Sequence, residues 1–421
     1  MDSKASSSSP TLFIGIDWAD QEHVLCWTNS ETRQQGRQTL RQQPEAIAEW
    51  VDSLQQRFPA HRIMIALEQS RGALMTGLAG FDELQLYPIN PKQLASYRDA
   101  LFPAGGKNDP GDAALLARFL EGHWRQLRPW QPDDPMTRQI AELTELRRKL
   151  VEERKRVVLQ LRSSLKLYFP LILTLSRREL HHDLILDLLR RWPTLQELKG
   201  VHPKTLRTFL KEHGLAHTDQ QTLFINTVRD AAPLTRDQAL IRPRAQYVQA
   251  LVPQVRQLNR SIAEFDQQLQ TLLAQHPDQE LFRSLPGAGD ALVPRLLAAF
   301  GSDRERYESA EQIQCYSGIA PITKQSGKSR HVNKRVACPK FLRQTFHEFA
   351  DHARKWSRWS RAYYNMKRAA GAKHHAAVRA LAYKWIRIIF RMWKTRTPYS
   401  ESQYIKQLKH NNSPLIRFLE A

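Results

Sequence analysis

The sequence predicts an α/β amino-terminal domain on a mixed sheet, followed by long helices and a mostly α-helical carboxy-terminal domain. Three observations predict this. Apolar strand-like runs in the first ninety residues are spaced first as hairpins and then as αβ units. Two long stretches after residue 137 carry apolar residues at helical and heptad spacing. The formal charge of +21 is gathered near the carboxy terminus, where twenty Lys and Arg between Pro321 and Ser400 meet only Glu348 and Asp351. That excess of +18 leaves +3 for the rest of the chain.

Met1 to Pro10 is a Ser-rich tail without the apolar centre of a signal peptide. Thr11 to Trp18 (TLFIGIDW) reads as a buried strand ending on an acid, Asp17. His23–Thr28 and Gln34–Leu40 follow at hairpin spacing. Pro44–Phe58 places Ile47, Trp50, Val51 and Leu54 on one helical stripe. Arg62–Leu67 is a second buried strand and delivers Glu68, and Leu84–Ile89 is a third. Pro91–Leu101 and Asp109–Leu120 read as helices. The order βββαβαβα is that of a ribonuclease-H-like (RuvC-like) fold, in which the first and fourth strands end side by side and the last helix crosses near them.

Thr137–Tyr168 reads as one long helix with apolar positions Ile140, Leu143, Leu146, Leu150, Val157, Leu161 and Leu165. Leu251, Val255, Leu258, Ile262, Phe265, Leu269 and Leu272 alternate fours and threes, a heptad seam. The two helices are expected to pair, with each other or with another subunit. Residues 169–245 form an insertion between them, in which Gly200–Gly214 suggests a small helical hairpin. Leu285–Gly301 (LPGAGDALVPRLLAAFG) has the Gly-x-Gly turn of a helix-hairpin-helix, whose N–H groups hold phosphate, or else a tight turn before a core helix. From Ser326 onward aromatic residues (Trp356, Trp359, Tyr363, Tyr364, Trp385, Trp393) alternate with basic ones. Tyr404–Ala421 reads as a loosely ordered tail. The domains expected are 1–10 (disordered tail), 11–130 (RuvC-like), 137–275 (coiled-coil helical region), 280–400 (carboxy-terminal domain) and 401–421 (tail).

The charge points to a polyanionic partner, because a phosphate backbone requires such a bias and a merely solvated surface does not. Cys26, Cys315 and Cys338 are far apart and show no zinc spacing, which predicts reduced thiols and a cytoplasmic, nucleoid-associated protein. No apolar run of about 18 residues predicts a membrane span.

The chemistry centres on Lys107-Asn108-Asp109-Pro110-Gly111-Asp112-Ala113. Asp109 reads as a helix N-cap and Pro110 as the first helical residue. Asp109 and Asp112 share a helix face, although an Asp-x-x-Asp pair alone also merely starts a helix. With Asp17 and Glu68 they make four acids suited to two Mg²⁺ ions about 4 Å apart, which would neutralise a reacting phosphodiester. In Lys324-Gln325-Ser326-Gly327-Lys328-Ser329-Arg330 a serine beside glycine sits among cations. No neighbouring base is evident, and a flexible turn would read the same.

These motifs together resemble the DEDD transposases of the insertion-sequence 110/1111 group, also called bridge-RNA-guided recombinases. The resemblance runs over residues 11 to 395. It rests on Gly15-Ile16-Asp17, Leu67-Glu68 and the Lys107–Ala113 segment, then on Leu285–Gly289, Tyr316–Pro321, Gln325–Lys328, and Tyr364 followed by Gly371-Ala372-Lys373. It implies a RuvC-like domain holding Mg²⁺ through Asp17, Glu68, Asp109 and Asp112. It also implies a transposase (Tnp) domain whose serine, here Ser326, forms a phosphoserine link to DNA. It further implies target and donor DNA paired with a structured noncoding RNA, in a tetramer (a dimer of dimers) whose active sites join domains of different subunits. Ser-Gly-Lys stands where the family often has Ser-Gly-Gly, which makes Ser329 a rival nucleophile. Arg335–Pro339 (RVACP) lacks the usual glycine. Lys324, Lys328, Arg330, Lys334, Arg335, Gly287 and Gly289 are the expected nucleic-acid contacts. Two other readings stand beside the recombinase: a RuvC-like structure-specific nuclease using water, and a non-catalytic nucleic-acid-binding scaffold.

Overall fold

The computed structural model describes residues 10–68, 71–101, 109–176, 180–327 and 329–419, with the backbone alone at 109, 110, 324, 326 and 330. Lys107, Asn108, Lys328, most of the amino-terminal tail and the side chains of Asp109, Lys324, Ser326 and Arg330 lie outside that description. The chain divides into two compact units, 1–132 and 133–421. Among the described residues no helix is long and apolar enough to cross a membrane.

The first unit is the mixed α/β layer expected. β1 (Thr11–Asp17), β2 (Glu22–Asn29) and β3 (Gln35–Arg41) form an antiparallel meander. α1 (Pro44–Arg57) leads to β4 (Arg62–Leu67), α2 (Ala73–Leu78) to β5 (Leu84–Pro88), and α3 (Pro91–Leu101) and α4 (Asp109–His123) follow. The strand order is β3-β2-β1-β4-β5, with β4 parallel to both β1 and β5. β1 therefore carries apolar residues on both faces, as a central strand must. Leu12, Ile14 and Ile16 pack under α1 with Ile47, Val51 and Leu54, while Phe13 meets Leu116 and Phe119 of α4 on the other side.

The second unit is mostly helical. α5 (Pro135–Tyr168) and α11 (Gln238–Gln275) run together, tied by Arg147 to Asp266 and by Arg154 to Asn259. Leu251, Val255, Ile262 and Leu269 are buried and Leu258, Phe265 and Leu272 half-buried, so the heptad stripe is covered largely from within the chain. Between the long helices α6 (Leu171–Leu175), α7 (Asp183–Arg191), α8 (Leu195–Gly200), α9 (Pro203–Glu212) and α10 (Thr218–Asp230) build a core of their own around Ile185, Leu189, Phe209 and Val248. The Gly200–Gly214 segment, expected as a small helical hairpin, holds one helix, α9, because α8 already ends at Gly200.

After α11 come α12 (Gln279–Arg283), α13 (Gly289–Phe300) and α14 (Ala310–Tyr316), then a hairpin of β6 (Ile322–Ser326) and β7 (Ser329–Asn333). α15 (Lys340–Trp356), α16 (Arg358–Ala369) and α17 (His374–Thr395) close the unit around Trp359, Trp385 and Trp393. The final segment is not a loose tail. α18 (Glu401–His410) and α19 (Ile416–Leu419) dock on this core, Leu415 is 2% exposed, and Glu401 accepts a hydrogen bond from the Arg358 N–H at 2.6 Å. Tyr404, Ile405 and Leu408 supply the apolar side that polar composition disguised.

Candidate active site

Parallel pairing of β1 and β4 sets Ile16 beside Leu67, and the next residue on each chain is an acid. Asp17 and Glu68 thus leave the sheet at one edge. Asp17 is half-buried and Glu68 exposed. Strand alternation puts Phe13, Gly15 and Asp17 on the face that α4 covers.

Gly15 decides how near α4 comes. A Cβ there would lie 2.1 Å from the Ala113 carbonyl oxygen, 2.4 Å from the Ala117 nitrogen and 2.8 Å from Leu116 Cβ. Only glycine lets the helix backbone cross the strand at that distance. The crossing point is one residue beyond Asp112, which is 6% exposed. From α3, the Arg98 Nη2 donates to Asp112 Oδ1 in a close ion pair. A buried carboxylate needs such a partner, because its charge has lost water.

The loop after Asp17 is pinned as well. His23 is fully buried, its Nδ1 accepts from the Ala19 N–H at 3.2 Å, and its Nε2 lies 2.8 Å from Gln42 Oε1. Burial pushes the imidazole pKa down, and the Gln42 contact only partly offsets this. A neutral His23 donating from Nε2 satisfies both contacts.

Among the described residues no group of three or more His, Cys, Asp and Glu is arranged to hold a metal ion. The structure brings Asp17 and Glu68 to one strand edge and Asp112 to the helix that crosses β1, without closing them into a cage. As donors they are hard carboxylate oxygens, the set that suits a divalent cation such as Mg²⁺.

In the second unit Ser326 pairs with Ser329, and Lys324 pairs with His331. Directly opposite residues of an antiparallel ladder share a face, and every second pair shares the same one. Positions 324, 326, 329 and 331 are therefore on one side of the hairpin. Ser329 Oγ lies 2.9 Å from His331 Nε2, so an imidazole does stand beside one of the two serines. The sequence order Ser-Arg-His hides this contact, because i and i+2 meet only once the segment is known to be a strand. Lys334 is exposed and Arg335 half-buried, with the Arg335 carbonyl accepting from Arg343 at 3.3 Å. Gly318, at φ +71°, leaves room for Cys338, whose Sγ would lie 2.3 Å from a Cβ there.

Tyr364 and His374 form a further polar group that sequence spacing did not identify. The Tyr364 hydroxyl is 2.9 Å from His374 Nδ1, and His374 Nε2 is 4.0 Å from Asp351 Oδ1. Burial pushes the Asp351 pKa up, but the hydrogen bond and charge of Arg354 and the nearby His374 hold it below the usual carboxylate range. Gly287 and Gly289 both have positive φ, +74° and +55°, the first in the turn between α12 and α13 and the second at the first position of α13.

Two family models match this chain. One, a DEDD transposase model of the IS110 type, covers residues 14–170, and the other, the transposase IS116/IS110/IS902 family, covers residues 279–365. The chain is 27% identical over 403 residues to the mini-circle protein of IS117 from Streptomyces coelicolor, covering 94% of this chain and 97% of that protein. It is 23% identical over 402 residues to a 42 kDa protein of insertion element IS900 from Mycobacterium paratuberculosis, covering 92% and 97%. An 86-residue stretch is 33% identical to the pilin gene-inverting protein of Moraxella bovis, covering 20% of this chain and 26% of that protein.

Proposed function

Because this chain belongs to the IS110 family of DEDD transposases, DNA-processing enzymes of insertion sequences, we propose that it cuts and rejoins DNA strands through a covalent serine–DNA intermediate. The observation that carries the reading is the placement of acids. Asp17 ends β1, Glu68 directly follows its parallel neighbour β4 in the mixed sheet, and the helix that crosses at Gly15 brings Asp112. Asp109 completes the set in sequence. These four residues would hold Mg²⁺, two ions by the number of carboxylates, and the metal supplies charge stabilisation to a reacting phosphate.

The chain's own residues account for the rest. Ser326 Oγ gives up its proton and forms a bond to phosphorus as the bond to the leaving deoxyribose oxygen breaks, and that oxygen takes up a proton in its place. Attack by the exchanged strand's hydroxyl reverses the step, so one phosphodiester is traded for another and no ATP is needed. Lys324, Lys328 and Arg330 add positive charge where the phosphate gathers negative charge. Burial and the Arg98 pair hold Asp112 in one orientation. The net +18 of residues 321–400 supports a polyanionic partner, and a structured noncoding RNA that pairs target and donor DNA in a tetramer belongs to the same reading.

A second nucleophile has its own support. Ser329 already touches an imidazole, which is the activation a neutral serine needs, and His331 could take its proton. Denaturing electrophoresis of labelled DNA separates the readings. A shifted, protease-sensitive band should form with wild type and vanish with Ser326→Ala, while Ser329→Ala keeps it. A band lost only in Ser329→Ala moves the nucleophile to Ser329. Metal-dependent cleavage with no band in any sample identifies a water-using nuclease, and no cleavage at all identifies a binding scaffold.

A further inference from the structure

Among Trp356, Trp359, Tyr363, Tyr364, Trp385 and Trp393 of the basic region, packing separates Trp356 from the other five. Trp359, Trp385 and Trp393 are fully buried, and their ring N–H groups donate to the Tyr399 hydroxyl, the Ser360 hydroxyl and the Gly301 carbonyl. Tyr363 is 8% exposed, and Tyr364 packs on the same core while bonded to His374. Trp356, the last residue of α15, is 72% exposed.

That exposure is supported. Gly287 lies so close beneath the indole that a Cβ there would be 2.6 Å from Trp356 Cδ1 and 3.2 Å from the His352 carbonyl. One edge of the ring rests on the Gly287 turn and the remainder is presented to solvent. Cations flank it along the chain. Lys355 and Arg358 are its exposed neighbours in the chain. Arg361 folds back over the corner, its Nη2 donating to the Lys355 carbonyl at 2.8 Å. The acids nearby are engaged: Asp351 with Arg354, Glu401 with the Ser357 hydroxyl and the Arg358 N–H, and Asp290 with Arg283 at 3.9 Å.

We propose that Trp356, held on the Gly287 turn and flanked by Lys355, Arg358 and Arg361, is a stacking platform for an unpaired DNA base. An apolar protein partner would match an apolar surround, whereas a base offers a π-face and its flanking phosphates answer the cations. The inference rests on the family's DNA chemistry and is independent of which serine reacts.

The test uses the full-length chain and a fluorescently labelled, unpaired DNA oligonucleotide, with dissociation constants from anisotropy across a salt series. Trp356→Ala should weaken binding about 10-fold, within the range that stacking on one base supplies. Trp356→Phe, which keeps a π-face, should stay within about 3-fold of wild type, and Trp356→Leu should behave as the alanine variant. DNA should quench the fluorescence of wild type more than that of Trp356→Phe. Should Trp356→Ala fail to fold, Lys355→Gln with Arg358→Gln tests the same surface, and should lower the salt slope by about 1.4, roughly 0.7 per phosphate contact. Four results would overturn the proposal: unchanged affinity in Trp356→Ala with an unchanged salt slope in the double variant, recovery by Leu equal to that by Phe, a loss confined to an RNA oligonucleotide of the same sequence, or a drop in oligomer mass without DNA. Loss of the covalent band with an intact Trp356 effect would count against the serine reading alone.

Discussion

Replacing Gly15 with alanine tests whether the close crossing of α4 over β1 builds the acid site. The added Cβ would meet the Ala113 carbonyl oxygen at 2.1 Å and the Ala117 nitrogen at 2.4 Å. Both are helix backbone, so no rotamer change relieves the clash. To restore contact distances near 3.2 Å the helix must retreat about 1 Å from the strand. Overpacking of this kind costs about 1–3 kcal/mol, and the first unit should lose that much in urea unfolding followed by probes within it. The same retreat carries Asp112 away from the edge holding Asp17 and Glu68, and a displacement of about 1 Å costs on the order of 100-fold in rate. Strand cleavage measured under saturating DNA should therefore fall about 100-fold, beyond what partial unfolding explains. Gly77→Ala is the control. There the added Cβ meets only the end of the Ile47 side chain at 3.2 Å, and a helix gains from alanine, so stability should be level or higher. Wild-type stability and cleavage in Gly15→Ala would refute the reasoning.

Two further outcomes follow from the ion pairs and buried groups. Arg98→Ala removes the guanidinium from a carboxylate that is nearly buried, and should cost about 1–3 kcal/mol in urea unfolding while lowering cleavage; an unchanged protein would mean that other partners suffice for Asp112. The second unit should weaken in acid in two stages. Burial lowers the His276 pKa below 6.5, more than the nearby Asp278 and Asp134 raise it, so its stability contribution is present above about pH 6.5 and lost as pH falls below that. Burial also pushes Asp134 up, but hydrogen bonds from Thr137 and Ser302 and the nearby His276 outweigh it and hold the carboxyl at about 2. Its contribution is present above the ordinary 3.8 and lost as pH falls from there toward about 2. Thermal melts from pH 8 to pH 2 should show both stages, with His276→Gln removing the first, and Asp134→Ala, which also removes a helix N-cap worth about 1 kcal/mol, removing the second. Stability that stays flat through pH 6 and 5 would contradict the His276 account.

Much of the first unit was legible because its rules are local. The two-sided apolar character of Thr11–Asp17 and Arg62–Leu67 marks central strands, and the Ile47, Trp50, Val51 and Leu54 stripe marks a helix. The strand order then places Asp17 and Glu68 together by chain topology alone. The contacts that tune this edge are long-range. Arg98 reaches Asp112 across fourteen residues, and His23 meets Gln42 across nineteen, so no spacing rule identifies either. The carboxy-terminal region was read less well for the same reason. Residues 401–419 look polar in sequence, yet their few apolar positions find a groove that other helices create. The periodicity of Leu251–Leu272 determined a helix and an apolar stripe, but only the packing of α5 and α11 decided that the stripe is covered largely from within the chain. Composition determined that cations and aromatics alternate from Ser326 onward. Only tertiary packing decided that Trp359, Trp385 and Trp393 fill the core while Trp356 faces solvent, because burial depends on which helix face meets which neighbour, and sequence encodes the faces without their partners.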